Sequence, residues 1–259
     1  MMKALSTAAS GMDAQQTRLD VTSNNIANVS TTGFKKSRAE FQDLLYQTVT
    51  SPGQPLNAGS PSGLQVGMGT RVVGTQRLHS VGSQQTTSRP LDVAIGGDGF
   101  FSVTLPNGDK AYTRAGDFQK NADGHIVTAD GNLLEPEITL APDARSVTIQ
   151  PDGAVMVVTG NSTAATEAGK IQLATFANPA GLDAIGKNLY RETSASGSPI
   201  TGNPGENGMG MLTQGALEAS NVSIVEEMVD LISGQRAYEV SSRVIKAADE
   251  MLSETANLK

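Results

Sequence analysis

Cysteine is absent from all 259 residues. That excludes disulfides, thiol nucleophiles and thiolate metal sites, and it suits a chain that crosses an oxidising compartment without being stapled there. Tryptophan is also absent and aromatics make up only 4%. Together with 28 glycines and abundant Thr, Ser and Asn, this points to turns and short strands. Only two histidines occur, His79 and His125, far apart in sequence. No window approaches the roughly 18 consecutive apolar residues that a bilayer span needs, so membrane insertion is not expected. Met1 to Gly11 holds one Lys and a weak apolar run broken by Ser6, Thr7 and Ser10, not the continuous run of a cleaved secretory signal. A net charge of −7 argues against nucleic acid or an anionic membrane as the main partner.

What is present is a pattern at the two ends. Large apolar residues recur every seventh position, as Leu5, Met12, Leu19 and Ile26 near the start and as Ile224, Leu231, Tyr238, Ile245 and Leu252 near the end. A spacing of seven keeps a narrow seam facing a partner helix, the condition for coiled-coil packing. The spacing predicts a helix over 3–28, stopped by Asn24, Asn25, Asn28 and the Thr31-Thr32-Gly33 run. Gly11 costs this helix about 1 kcal/mol relative to Ala, so it is marginal alone. A second helix starts near Asn221, where Asn221 or Ser223 could cap it and Glu226 and Glu227 favour the dipole. Between its large seam residues lie Gly234, Ser241 and Ala248, small enough to admit a neighbouring backbone. The two helices could form an antiparallel hairpin within one molecule or pack between many.

Between the ends, a short amphipathic piece over 36–48 carries Phe41, Leu44 and Leu45. Residues 51–69 alternate Pro and Gly, which forbids helix and predicts an extended loop or irregular β arm. A strand follows over 70–80. From Leu91 to Leu189 short runs are punctuated by Asn107-Gly108, Asp123-Gly124, Asp130-Gly131 and Asp152-Gly153, a β pattern without βαβ alternation. The fold class is α+β: terminal helices forming a coiled-coil-like domain, a β-rich central domain and an extended Pro/Gly arm. The expected domains are 1–30 with 220–259, a connecting segment 31–80 containing the arm, and a β-rich 81–219 that includes a linker over 193–210.

Nothing in this pattern carries catalysis. The sequence holds no G-x-S-x-G, H-E-x-x-H or G-x-x-x-x-G-K. Gly96-Gly97-Asp98-Gly99 lacks a following helix and a nearby Lys, so close backbone packing beside Phe100 and Phe101 accounts for it better than phosphate binding. Asn121, Asp123 and Gly124 have calcium-loop spacing. Gln119 and Asp130 at the flanking ligand positions would make a poor site, so a hairpin turn is expected. Glu135 and Glu137 flank Pro136 as in a solvated loop. No catalytic, cofactor or metal site is expected, and the protein reads as a non-enzyme.

Three ordered motifs carry a resemblance that covers essentially the whole chain. Ser23 to Lys35, with Asn24, Asn25, Ala27, Asn28, Gly33 and Phe34, resembles the N-terminal signature of the bacterial flagellar rod and hook proteins. Ser220-Asn221-Val222, Glu226 to Val229 and Arg236-Ala237-Tyr238-Glu239 resemble that family's other end. Gly97 to Phe101, Tyr112 to Phe118 and Asp130-Gly131 match its β domain. Hook proteins are longer. The segment Asp43 to Thr48, the arm with Pro61, Gly63, Leu64 and Gly67, and Gln76 to Ser80 are similar to the distal rod members. Gly234 departs from the pattern, where a larger apolar residue is usual.

The resemblance implies a subunit exported through the flagellar type III apparatus without a cleaved signal. It implies a helical homopolymer, a hollow rod in the periplasm with the helices as inner tube and the β domain outside, transmitting torque. Implied partners are proximal rod proteins, the hook protein or hook–rod junction, the L/P-ring bushing and the export apparatus. A proximal rod or hook subunit is the alternative within the family. A secreted β-rich adhesin or carbohydrate-binding module is the alternative outside it, and it would need no matching heptads. A muramidase would need a carboxylate pair in a cleft that nothing here singles out.

Overall fold

The computed structural model describes residues 2–50, 63–160 and 164–257. The chain divides into two compact units, one from 1–27, 37–77 and 223–259, the other from 28–36 and 78–222.

The first unit holds both long helices. Helix α1 spans Met2–Ala27 and α2 spans Ile224–Asn257. Within α1, Asn24 and Asn25 are helical and the helix ends only at Ala27, so the asparagines do not themselves break it. On α2, the Ser223 carbonyl accepts the first helical bond from the Glu227 N–H at 3.0 Å. Asn221 does not cap the helix, because its side chain is engaged within the other unit. The amphipathic piece over 36–48 is extended, not helical. Ser37–Asp43 pairs antiparallel with Thr70–Arg77 across a bulge between Glu40 and Phe41, and Tyr46–Thr50 pairs with Leu64–Gly67. Phe41 and Leu45 are therefore exposed to solvent. Much of the expected Pro/Gly arm, including Pro61, lies outside the described residues; of the rest, Gly63 precedes the returning strand, and Leu64 and Gly67 bound it.

The second unit is β-rich, and its described strands pair antiparallel. Its main sheet runs Asp183–Gly186, Leu189–Arg191, Lys110–Thr113, Phe100–Thr104, Leu133–Glu135, Ile126–Val127, Gln119–Lys120, with Leu173–Thr175 pairing Phe100–Thr104 off this path and carrying Ile200–Gly202. A meander of Ala144–Ile149, Ala154–Thr159 and Thr166–Lys170 and two further pairs complete it. Alternation along the central strand divides the interior. Phe101 and Val103 enter an aliphatic core with Ile95, Leu134 and Ile171, while Phe100 joins Tyr112, Phe176 and Tyr190 in an aromatic cluster. Asn121 shapes the calcium-like stretch into a turn, its Oδ1 accepting from the N–H groups of Asp123 (3.0 Å) and His125 (2.8 Å). Gly97 lies against Gly210, whose Cα would sit 2.8 Å from an added Cβ, so backbone packing explains that glycine run. The stretch over 193–210 is built into this unit instead of running free, since Ile200–Gly202 pairs with Leu173–Thr175 and Ser196 is fully buried.

Candidate assembly site

The helices α1 and α2 run antiparallel, and small residues make their contact. Gly11 lies beside the Ser241 hydroxyl, and an added Cβ on Gly234 would stand 3.0 Å from a Leu19 methyl. Arg18 reaches Asp230 at 2.7 Å and Asn25 reaches Glu227 at 3.1 Å. The line Glu227, Gly234, Ser241 and Ala248, itself spaced by seven, faces inward: Gly234 and Ala248 are buried and Ser241 is half-buried. Close backbone approach follows from that line of small side chains.

The large seam residues pack beside this line, Leu19 against Gly234, but are less completely covered than Gly234 and Ala248. Leu5, Met12, Leu19 and Ile26 are half-buried, as are Leu231, Ile245 and Leu252, while Ile224 is 48% and Tyr238 40% exposed. The unit's fully buried apolar side chains, among those described, are Ala14 and Ala248. Two methyl groups are not a core, and among the described residues α2 leaves Val225, Met228, Val229, Ile232, Val240, Val244 and Met251 exposed as well.

Asn25 organises one end of the helix pair. It is 2% exposed, and its amide treats Ser37 as a strand neighbour, accepting from the Ser37 N–H and donating to the Ser37 carbonyl, each at 2.9 Å. Its remaining N–H goes to Glu227. One side chain thus ties the end of α1 to the first strand and to the first turn of α2. Asn24 and Ala27 face solvent, and on α2 Arg236 is exposed and Ala237 half-buried.

The remainder of the N-terminal motif belongs to the β unit. Asn28 accepts from the Thr31 hydroxyl at 3.2 Å. Gly33 has φ of +68°, donates to the Glu218 carbonyl at 2.8 Å, and passes so near Arg114 and Ala115 that an added Cβ would sit 2.7 Å from their backbone. Phe34 is buried beside it. Lys35 is 0% exposed and donates to Glu218 Oε1 at 2.5 Å and to the Ser80 carbonyl at 2.7 Å. Glu218 also accepts from the Gly82 N–H at 2.9 Å and, through Oε2, from Arg114 at 3.2 Å. Arg114 lies 5.4 Å above the Phe100 ring. Burial pushes both Lys35 and Arg114 below their ordinary values, with Glu218 pulling each back. Asn221 completes this region by accepting from the Lys36 N–H at 2.7 Å and donating to the Leu78 carbonyl at 2.8 Å. Asn25, Asn28, Gly33, Phe34 and Lys35 are therefore structural ties, whereas Asn24, Ala27 and Arg236 are exposed. No sequence pattern marks Lys35, Glu218 and Arg114 as a group; the one available signal is a lone acid between Leu217 and Ala219 in an otherwise apolar strand.

A helix pair with exposed apolar side chains on α2, continuous in chain with a well-packed β unit, defines the class of two-unit α+β proteins. Three family models match in order along the chain: Flagella basal body rod protein over 5–35, Flagellar hook protein FlgE/F/G D1 domain over 94–157, and Flagellar basal body rod FlgEFG protein C-terminal over 213–258. A flagellar basal-body rod protein FlgG of Borreliella burgdorferi is 50% identical over 263 residues, covering 100% of this chain and 99% of that protein. The corresponding protein of Caulobacter vibrioides is 49% identical over 261 residues, with 100% of both covered. A flagellar hook protein FlgE of Helicobacter mustelae is 44% identical over 139 residues, only 52% of this chain and 30% of that one. The chain belongs to the flagellar basal-body rod protein family.

Proposed function

We propose that this chain is the subunit of the distal rod, polymerising helically into a hollow, rigid shaft that carries motor torque to the hook. Full-length identity to rod proteins named FlgG, against half-length identity to a hook protein, supports the rod over the hook. The observation that carries self-assembly is the helical unit whose buried apolar side chains, among those described, are two alanines, with Val225, Met228, Val229 and Ile232 exposed. In this reading 1–30 with 220–259 forms the inner tube, 81–219 the outer wall, and 31–80 the connection, with the seam residues Leu5 to Ile26 and Ile224 to Leu252 covered by sibling copies. The arm over 51–69 braces neighbouring subunits. Export proceeds through the flagellar apparatus without cleavage. The rod meets proximal rod proteins below, the hook or its junction above, and turns within the L/P-ring bushing.

Electron microscopy of basal bodies carrying a labelled copy tests this: label along the rod beyond its proximal part is expected, and label confined to the hook, or missing from basal bodies, overturns it. Deleting 51–62 is expected to leave subunits that assemble into a softer, curved rod, scored by bending in micrographs; unchanged straightness would remove the arm from the account.

A further inference from the structure

We propose that copies add head to tail through one apolar pair on the helical unit. The exposed stripe at the start of α2 seats in a groove that a second copy forms between the first turns of α1, the end of the Leu64–Gly67 strand and the middle of α2. This rests on the assembly reading above and specifies which surfaces meet.

The stripe is Val225, Met228, Val229 and Ile232, exposed by 73%, 53%, 58% and 47%. Their spacing places all four on one helix face. A solvated face would carry polar residues there, so this face is made for a partner. The groove, of about 680 Å³, is lined by Thr7, Ala8, Val66, Val240 and Val244, with Lys3 on its wall. Its volume lies within the range of pockets that bury a ligand, and its apolar lining matches aliphatic side chains.

Charge agrees with the pairing. Residues 224–233 include Glu226, Glu227 and Asp230 and no base, whereas residues 236–246 include Arg236, Arg243 and Lys246 against Glu239 alone. Within the molecule Glu239 and Arg243 already pair with each other at 3.5 Å, Asp230 pairs with Arg18 at 2.7 Å, and Glu227 accepts from Asn25 at 3.1 Å. Lys3 on the groove wall, with Arg236 and Lys246 nearby in sequence, leaves the groove side basic, while the stripe's turns carry no base, which favours this docking over groove on groove.

Geometry excludes self-filling, and the assembly reading makes the occupant another copy. Met228 of the stripe and Val244 of the groove are separated by about 24 Å along a straight helix rising roughly 1.5 Å per residue, so one molecule cannot fill its own groove. A contact between two different patches of identical chains leaves each copy with an open patch, and where its rotation does not close a ring it propagates as a filament.

The absence of native cysteine makes the test direct. Rods are isolated from cells expressing full-length Met228→Cys, Val244→Cys, or both, and treated with a short bismaleimide. The double variant is expected to give a ladder of covalent multimers, each single variant none, and the co-expressed singles dimers only. Dimers from Met228→Cys alone would show stripe on stripe, and a stripe cross-linked only to a different protein would show a foreign occupant; either overturns the proposal. Normal rods by microscopy without any ladder overturn it while leaving the rod reading intact, whereas absence of this chain from rods removes both. Motility of each variant confirms that it folds and assembles.

Discussion

Single residues in the β unit set the sharpest expectations. Glu218 neutralises two cations that burial already disfavours, so Glu218→Gln leaves them facing each other without a counter-charge. A loss of about 3–5 kcal/mol is expected from chemical denaturation. Gly33→Ala meets both a left-handed backbone and the Arg114–Ala115 chain at 2.7 Å; strain of about 1–3 kcal/mol is the minimum cost. Tyr112 is 1% exposed, packs edge-on against Phe176, and has its phenol pushed up to about 12 from 10.0, chiefly by burial. Because the folded pKa is raised, the contribution is complete below about pH 10 and is lost as pH climbs toward 12, at up to about 1.4 kcal/mol per pH unit. The stability difference between the parent and Tyr112→Phe, followed across that window, is expected to shift against the parent as pH rises; a flat difference would contradict the assignment. At this scale the sequence is partly legible. The Asn-rich motif announces itself, but the use of Asn25 as a surrogate strand for Ser37 depends on a pairing that no local pattern encodes. Glu218 is remote from Lys35 and Arg114 in sequence, so only the folded β unit discloses why it is needed.

Among the elements, the helices are readable because heptad spacing is local and long. The strands over 37–43 and 46–50 are not, since apolar residues at Phe41, Leu44 and Leu45 fit an amphipathic piece of either kind and the distant Thr70–Arg77 and Leu64–Gly67 partners decide the outcome. The same holds for 193–210, whose Gly/Ser/Pro composition reads as linker until Ile200–Gly202 finds Leu173–Thr175. The small residues of α2 can be picked out from sequence, but that Gly234 and Ala248, more than the large seam residues beside them, become the buried positions of the intramolecular contact cannot. Gly234 illustrates the result: Leu19 already occupies the space a larger residue would take. Gly234→Leu is therefore expected to overpack the helix pair by about 1–3 kcal/mol and lower the temperature at which helical circular dichroism is lost. A neutral effect would mean that the pair adjusts its spacing freely.

At the level of the whole molecule, two units of unequal interior predict two unfolding events. The β unit has an aliphatic core and an aromatic cluster, while the helical unit buries Ala14 and Ala248. Calorimetry of the unassembled chain is expected to show an early transition carrying the helical signal and a later one carrying the β signal. A single cooperative melt would show the units to be energetically coupled. In the monomer the termini are expected to be dynamic, and solution NMR showing rigid helices over 3–28 and 222–256 would contradict this.

The line Glu227, Gly234, Ser241 and Ala248 has one mechanical corollary. Apart from the glutamate, these side chains have few or no rotamers, so they have no alternative settings to click into when a torsional load is applied. Two helices seated through such groups behave like splined parts without backlash, so a small twist at one end is delivered to the other before any slack is taken up.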